Sequence, residues 1–248
     1  MRILRFIADS FKGMVAPPVA FHLLMKQMEF VGNRSVGIIL LAGATLGAVF
    51  GMQMGEFLLL FNSENMIGAT TAFGMSRELA PVFCSFLVAA RAGSAMASEI
   101  GTMRVNEQID ALKVMAINPI AYLVSPRILA STLIMPLLTG IFLISGIFAC
   151  FVVGVIIFDV DVGLFFDSIP RLIGLSDVRS GLEKSVVFGM IFSVISCYRG
   201  FYTEGGAKGV GKSTSQAVVL SLVVILIIDL VLSFAQFKLS PPTMMGAG

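Results

Sequence analysis

The chain has 248 residues, 57% of them hydrophobic and 13% charged. Its mean hydropathy of +0.95 lies far from the balance of a soluble domain and reads as an all-α integral membrane protein. A formal net charge of +2 says little about partners, and no nucleic-acid partner is expected. Cys84, Cys150 and Cys197 all sit in apolar runs, so the sequence predicts neither a disulfide framework nor a metal site.

In residues 2–15, Ile3, Ile7, Phe11 and Met14 fall on one side of a helix and Arg2, Arg5, Asp9 and Lys12 on the other, before Pro17-Pro18. That pattern predicts an interfacial helix stopped by the prolines, with no cleavable leader. Residues 19–31 carry His22, Lys26 and Glu29 and read as a second short segment, too polar to span; residues 1–31 thus form an N-terminal elbow preceding a domain at 32–248. His22 reads as a surface residue.

Residues 36–61 form the first expected span. Within it Gly43, Gly47, Gly51 and Gly55 recur every fourth residue and predict a ridge for close helix packing. The second span, 66–97, contains Arg77 and Glu78; at ~1.5 Å per residue Arg77 lies ~16 Å beyond Met66, near the midplane. Charges at that depth face a cavity or a partner. Neither has an opposite charge three or four positions away, so the expected partners are Glu56, Asp229 or a symmetry-related copy. After this span, Val105, Ile109, Leu112 and Ala116 follow one helical face while Arg104, Glu107, Gln108, Asp110 and Lys113 occupy the rest, which predicts an amphipathic helix in a polar loop.

Residues 128–158 hold no charge and form the third span, with Pro136 as an expected kink. A polar loop over 159–184 includes a short helix near 165–173. The fourth span, 184–200, is short unless Lys184 and Arg199 snorkel, and the fifth, 213–237, buries Asp229. Basic residues concentrate on the N-terminal side of this layout, so the positive-inside rule places the N-terminus in the cytoplasm and the C-terminus outside.

Residues 206–213, Gly-Ala-Lys-Gly-Val-Gly-Lys-Ser, satisfy the Walker A pattern. The motif needs a buried strand before it and a parallel sheet around it, whereas membrane spans flank this copy. It reads as a glycine-rich turn that binds no nucleotide. No H-E-x-x-H and no G-x-S-x-G occurs, so no catalytic residue, metal or cofactor is assigned and the chain reads as a non-enzyme.

Residues 77–82 (Arg-Glu-Leu-Ala-Pro-Val), 90–95 (Ala-Arg-Ala-Gly-Ser-Ala), 99–104 (Glu-Ile-Gly-Thr-Met-Arg) with Glu107-Gln108, then Asn118-Pro119 and 125–127 (Ser-Pro-Arg) resemble the core signature of the MlaE (YrbE) permease family. The resemblance extends from about residue 32 to 237. It implies the permease subunit of an ABC-type lipid transporter in the bacterial inner membrane, moving phospholipid between the inner membrane and the outer envelope. The partners implied are a second copy of the chain, a cytoplasmic ABC ATPase with or without a STAS-domain protein, and a periplasmic MCE-domain protein. Met52, Gln53, Glu56, Arg77 and Glu78 would line a lipid cavity; Arg104, Glu107, Asp110 and Lys113 would couple to the ATPase; the four glycines would pack helices. Two rivals stand beside it. One is a self-contained proton- or ion-coupled transporter using Glu78 and Arg77, the other a structural scaffold.

Overall fold

The computed structural model describes residues 2–15 and 21–239. The expected proline stop at 17–18 and the far C-terminus lie outside the described residues, as do the side chains of Arg2, Ile3, Arg5 and Met14. All regular structure among the described residues is helical: α1 (Arg2–Val15), α2 (Phe21–Leu59), α3 (Glu64–Val105), α4 (Gln108–Val114), α5 (Ile120–Ile157), α6 (Val162–Leu172), α7 (Leu175–Phe201) and α8 (Gly206–Leu239). Helices α2, α3, α5, α7 and α8 are long and apolar enough to cross a membrane, in agreement with the expected five spans.

Helix α1 does not lie free on a surface. Phe6 is buried against Tyr198, Phe201 and Tyr202, with ring centroids 5.4, 5.7 and 6.1 Å away, and Ser125 Oγ donates to the Ser10 carbonyl at 2.9 Å. The polar segment expected to be separate from the first span is continuous with it: α2 runs unbroken through Lys26, Glu29 and Arg34, so the boundary expected after residue 31 falls inside one helix. Hydropathy sees only the part of a helix inside hydrocarbon and says nothing of its extension into the headgroup layer.

The glycine ridge decides how α2 meets α5. Gly43, Gly47, Gly51 and Gly55 are all buried and face Phe142 and Ser145, Gly146, Cys150 and the Phe158 ring in turn. At Gly47 an added Cβ would fall on the Gly146 backbone, so the two helices approach at a distance only glycine permits. Met75, Phe142, Phe188 and Phe192 fill the core beside this contact.

Helix α3 is interrupted by two π-helical segments, Met75–Leu79 and Ala89–Gly93. The expected amphipathic helix is also interrupted. Helix α3 ends at Val105, Glu107 adopts φ 58°, α4 runs only from Gln108 to Val114, and Ala116 lies beyond it at φ 59°. Val105, Ile109, Leu112 and Ala116 therefore share no single face: Ile109 is buried, while Val105 and Ala116 are exposed. On the opposite side of the bundle, Asp161 caps α6 by accepting from the Leu164 N–H at 3.1 Å, and Phe165 packs into a small core with Ile67, Cys150 and Val160. Gly205 and Gly206, at φ 88° and 64°, make the turn into α8. The Walker-like residues 206–213 are then helical, a correction to the turn expected there.

Candidate functional site: a buried lysine at a helix interruption

The first π segment follows from Pro81. A proline has no N–H, so in α-helical register it cannot serve the Arg77 carbonyl, and in π register it cannot serve that of Ser76. The Ala80 N–H donates to Met75 instead. Two backbone acceptors in an apolar environment thus need partners from outside the helix.

Helix α7 packs against both and supplies a donor to the second. Its inward face is the helical stripe Gly181, Lys184, Ser185, Phe188, Gly189 and Phe192. Gly181 sits so close to the Ser76 carbonyl that a Cβ would fall on the oxygen. One turn on, Lys184 Nζ donates to the Arg77 carbonyl at 3.1 Å.

The same ammonium gathers the intramembrane acids. Lys184 Nζ lies 2.7 Å from Glu78 Oε2 and 3.1 Å from Asp229 Oδ1, the latter within ion-pair range but off the hydrogen-bond direction. It also donates to Ser233 Oγ at 2.7 Å, and the Ser233 hydroxyl donates on to Glu78 at 3.2 Å. Helices α3, α7 and α8 are tied together at this point. Two carboxyl groups share one ammonium. Arg77 turns away from it toward Asp177, at 3.6 Å, and its guanidinium stands over the Phe73 ring at 5.3 Å.

Exposure separates the members. The Lys184 side chain is 0% exposed and that of Glu78 46%. Glu78 is held from behind by the lysine and presents its free side outward. The expectation that Lys184 snorkels at a span end is therefore corrected: α7 begins at Leu175, which carries Lys184 into the bundle. Of the partners expected for the charged pair, Asp229 joins through Lys184, while Glu56 is exposed and makes no ion pair among the described residues. Met52 and Gln53 are exposed as well. No hydrogen bond or ion pair links Met52, Gln53 or Glu56 to Arg77 or Glu78 among the described residues.

At the α1 side of the bundle, Arg104 Nη1 donates to both Asp110 oxygens at 3.0 and 2.9 Å, and Lys113 Nζ to Asp110 Oδ1 at 2.7 Å. The Lys113 hydrogen bond leads in holding the Asp110 carboxyl below the ordinary carboxylate range, with the nearby Arg104 and Lys113 charges adding to it. Glu107 is exposed and stands outside this cluster.

Five helices long and apolar enough to span, with α3, α7 and α8 tied together by a charged hub, make a multi-pass membrane protein. The family model "Permease MlaE" matches residues 24–235. A "Probable ABC transporter permease protein" of Synechocystis sp. is 40% identical over 90% of this chain and 84% of its own length. One of Rickettsia typhi is 39% identical over 94% and 89%. "Protein TRIGALACTOSYLDIACYLGLYCEROL 1, chloroplastic" of Arabidopsis thaliana is 43% identical over 86% of this chain and 61% of its own length. The chain belongs to the MlaE permease family and is a multi-pass membrane transport permease rather than an enzyme.

Proposed function

We propose that the chain is the permease subunit of an ABC-type transporter that moves phospholipid, or a related lipid, between the inner membrane and the outer envelope. The observation that carries this reading is the half-exposed Glu78 carboxylate held by the buried Lys184. A permanently fixed charge near the middle of a span is costly unless polar matter adjoins it, and a lipid headgroup crossing the membrane is such matter. The glyceride in the name of the Arabidopsis relative supports a lipid substrate. In this assembly two copies pair so that Met52, Gln53, Glu56, Arg77 and Glu78 line one cavity. The N-terminus is cytoplasmic and the C-terminus periplasmic.

In this reading residues 206–213, which are helical, take no part in ATP hydrolysis, and the energy comes from a separate ABC ATPase, with or without a STAS-domain protein. That ATPase docks at the segment of Arg104, Glu107, Asp110 and Lys113, and a periplasmic MCE-domain protein docks at the α6 side. The self-contained proton-coupled alternative would need Glu78 to release its ion-pair partner on every cycle, and Lys184 has no exposed surface through which to follow it.

The test is purification from native membranes followed by reconstitution in phospholipid vesicles. An associated ATPase and ATP-dependent lipid transfer are expected. Lipid or ion movement by the chain alone, driven by a proton gradient and indifferent to ATP, would overturn the reading.

A further inference from the structure

A second charged site lies far from the hub. Phe30 and Arg34 are one turn apart on α2, and the Arg34 guanidinium carbon stands 5.8 Å from the Phe30 ring centroid. Arg91, on the second π segment of α3, stands 5.4 Å from the same ring. Its guanidinium is fixed in place: Nη1 donates to Ser35 Oγ at 2.6 Å and to the Val31 carbonyl at 3.4 Å, and Nη2 to the Phe30 carbonyl at 3.1 Å. All three acceptors are neutral, so the site keeps both positive charges. Neither arginine has a carboxylate within ion-pair distance among the described residues, although Glu29 adjoins Phe30 in sequence.

Two like charges gathered around one aromatic ring, with no carboxylate partner among the described residues, form an arrangement that an anion would complete. Arginine suits a tetrahedral oxyanion, since its planar fork can bond two oxygens at once. The hydrogen bonds of Arg91 use only part of its five donors, and Arg34 is exposed. Depth identifies where the anion comes from. Arg34 and Arg91 each lie roughly 40 Å of helix from the opposite ends of α2 and α3, at Leu59 and Glu64. A hydrocarbon core is ~30 Å thick, so with Leu59 and Glu64 at its far boundary both guanidinium groups reach the headgroup layer on the α1 side.

We infer that Arg34, Arg91 and Phe30 form a binding site for the phosphodiester of an anionic phospholipid in the leaflet on the α1 side. Arg91 is the preset half, locked to α2, and the exposed Arg34 supplies the second guanidinium. The site concerns a resident lipid and does not rest on the transport reading, which involves the hub in the middle of the bundle.

The experiment measures binding, so its failure is distinct from a failure of transport. The full chain, delipidated in detergent, is titrated with phosphatidylglycerol, phosphatidylcholine and inorganic phosphate, with native mass spectrometry as readout. Phosphatidylglycerol is expected to bind in preference to phosphatidylcholine. Arg34→Gln should weaken it about tenfold, the scale of one charge-assisted hydrogen bond, with little change in lipid-free melting because Arg34 is exposed and makes no ion pair among the described residues. Arg34→Lys should retain part of the affinity. Equal binding of the two lipids, or binding indifferent to Arg34→Gln, would overturn the site. Binding of inorganic phosphate alone, with the same dependence on Arg34, would overturn the lipid assignment in favour of a soluble phosphate.

Discussion

Lys184 Nζ lies 2.7 Å from Glu78 Oε2 with none of the lysine side chain exposed, so the cation expected to be an anchor at the end of a span is the centre of the bundle's polar chemistry. A buried ammonium flanked by two carboxylates is not a removable ornament. Lys184→Met should leave Glu78 and Asp229 facing each other unneutralised and cost about 3–5 kcal/mol, the usual penalty for breaking a buried pair by removing one partner. Thermal unfolding in detergent measures it. The triple change Lys184→Met, Glu78→Gln, Asp229→Asn should recover most of the loss, and a single variant as stable as the parent would show that the hub holds nothing together.

The glycine contacts make a prediction of opposite signs. Gly47→Ala places a methyl on the Gly146 backbone, and forcing α2 from α5 should cost about 1–3 kcal/mol. Gly37 lies on the same helix with nothing within 4 Å of its added Cβ. There Gly37→Ala should stabilise by about 0.5–1 kcal/mol through helix propensity alone. Equal effects at the two positions would contradict the packing described.

Asp110 titrates below an ordinary carboxyl because Lys113 hydrogen-bonds its charged form. A group with a lowered folded pKa contributes stability that is present above its unfolded pKa and lost as pH falls through the folded one. The cluster's contribution should therefore be fully present and independent of pH near neutrality, and be lost only in acid. Carboxyl-carbon NMR of Asp110 in Lys113→Ala should show the midpoint rising toward the ordinary value; an unmoved midpoint would mean that the 2.7 Å contact does not persist in solution.

Glu107 has the left-handed backbone of the break between α3 and α4, at φ 58°, and its side chain is exposed. Glu107→Gly suits that backbone and should preserve the fold, isolating the charge. If this corner meets the ATPase, Glu107→Lys should release the ATPase or uncouple hydrolysis from transfer while Glu107→Gly keeps assembly. Unchanged assembly and coupling in Glu107→Lys would remove the corner from the interface.

The five spans were legible because each is an apolar run long enough for hydrocarbon, and the glycine repeat was legible because a period of four is a helical stripe. The continuity of α2 was not, since the rotation of a helix carries on through Lys26, Glu29 and Arg34 after its hydropathy has fallen. The break at Glu107 was hidden for a different reason: a glutamate at positive φ has no sequence signature. Lys184 was the larger omission, and a signal for it existed. Pro81 orphans backbone carbonyls beside Glu78, Asp229 adds a second intramembrane acid, and Lys184 stands on the stripe of Gly181, Ser185 and Gly189. Counting unsatisfied acceptors against the cations within helical reach points to it; hydropathy, which treats a lysine near a span end as a flank, points away.

Site-specific photocrosslinking in the assembled, ATP-hydrolysing complex shows whether the outward side of Glu78 meets substrate lipid. Probes at positions 52, 56 and 78 are compared with one at position 144, where Ile144 is exposed on the outer surface. Lipid adducts are predicted at all three cavity positions and should change in yield with the nucleotide state, whereas labelling at 144 should be constant. Adducts at 144 with none at 52, 56 and 78 would mean that lipid does not pass Glu78.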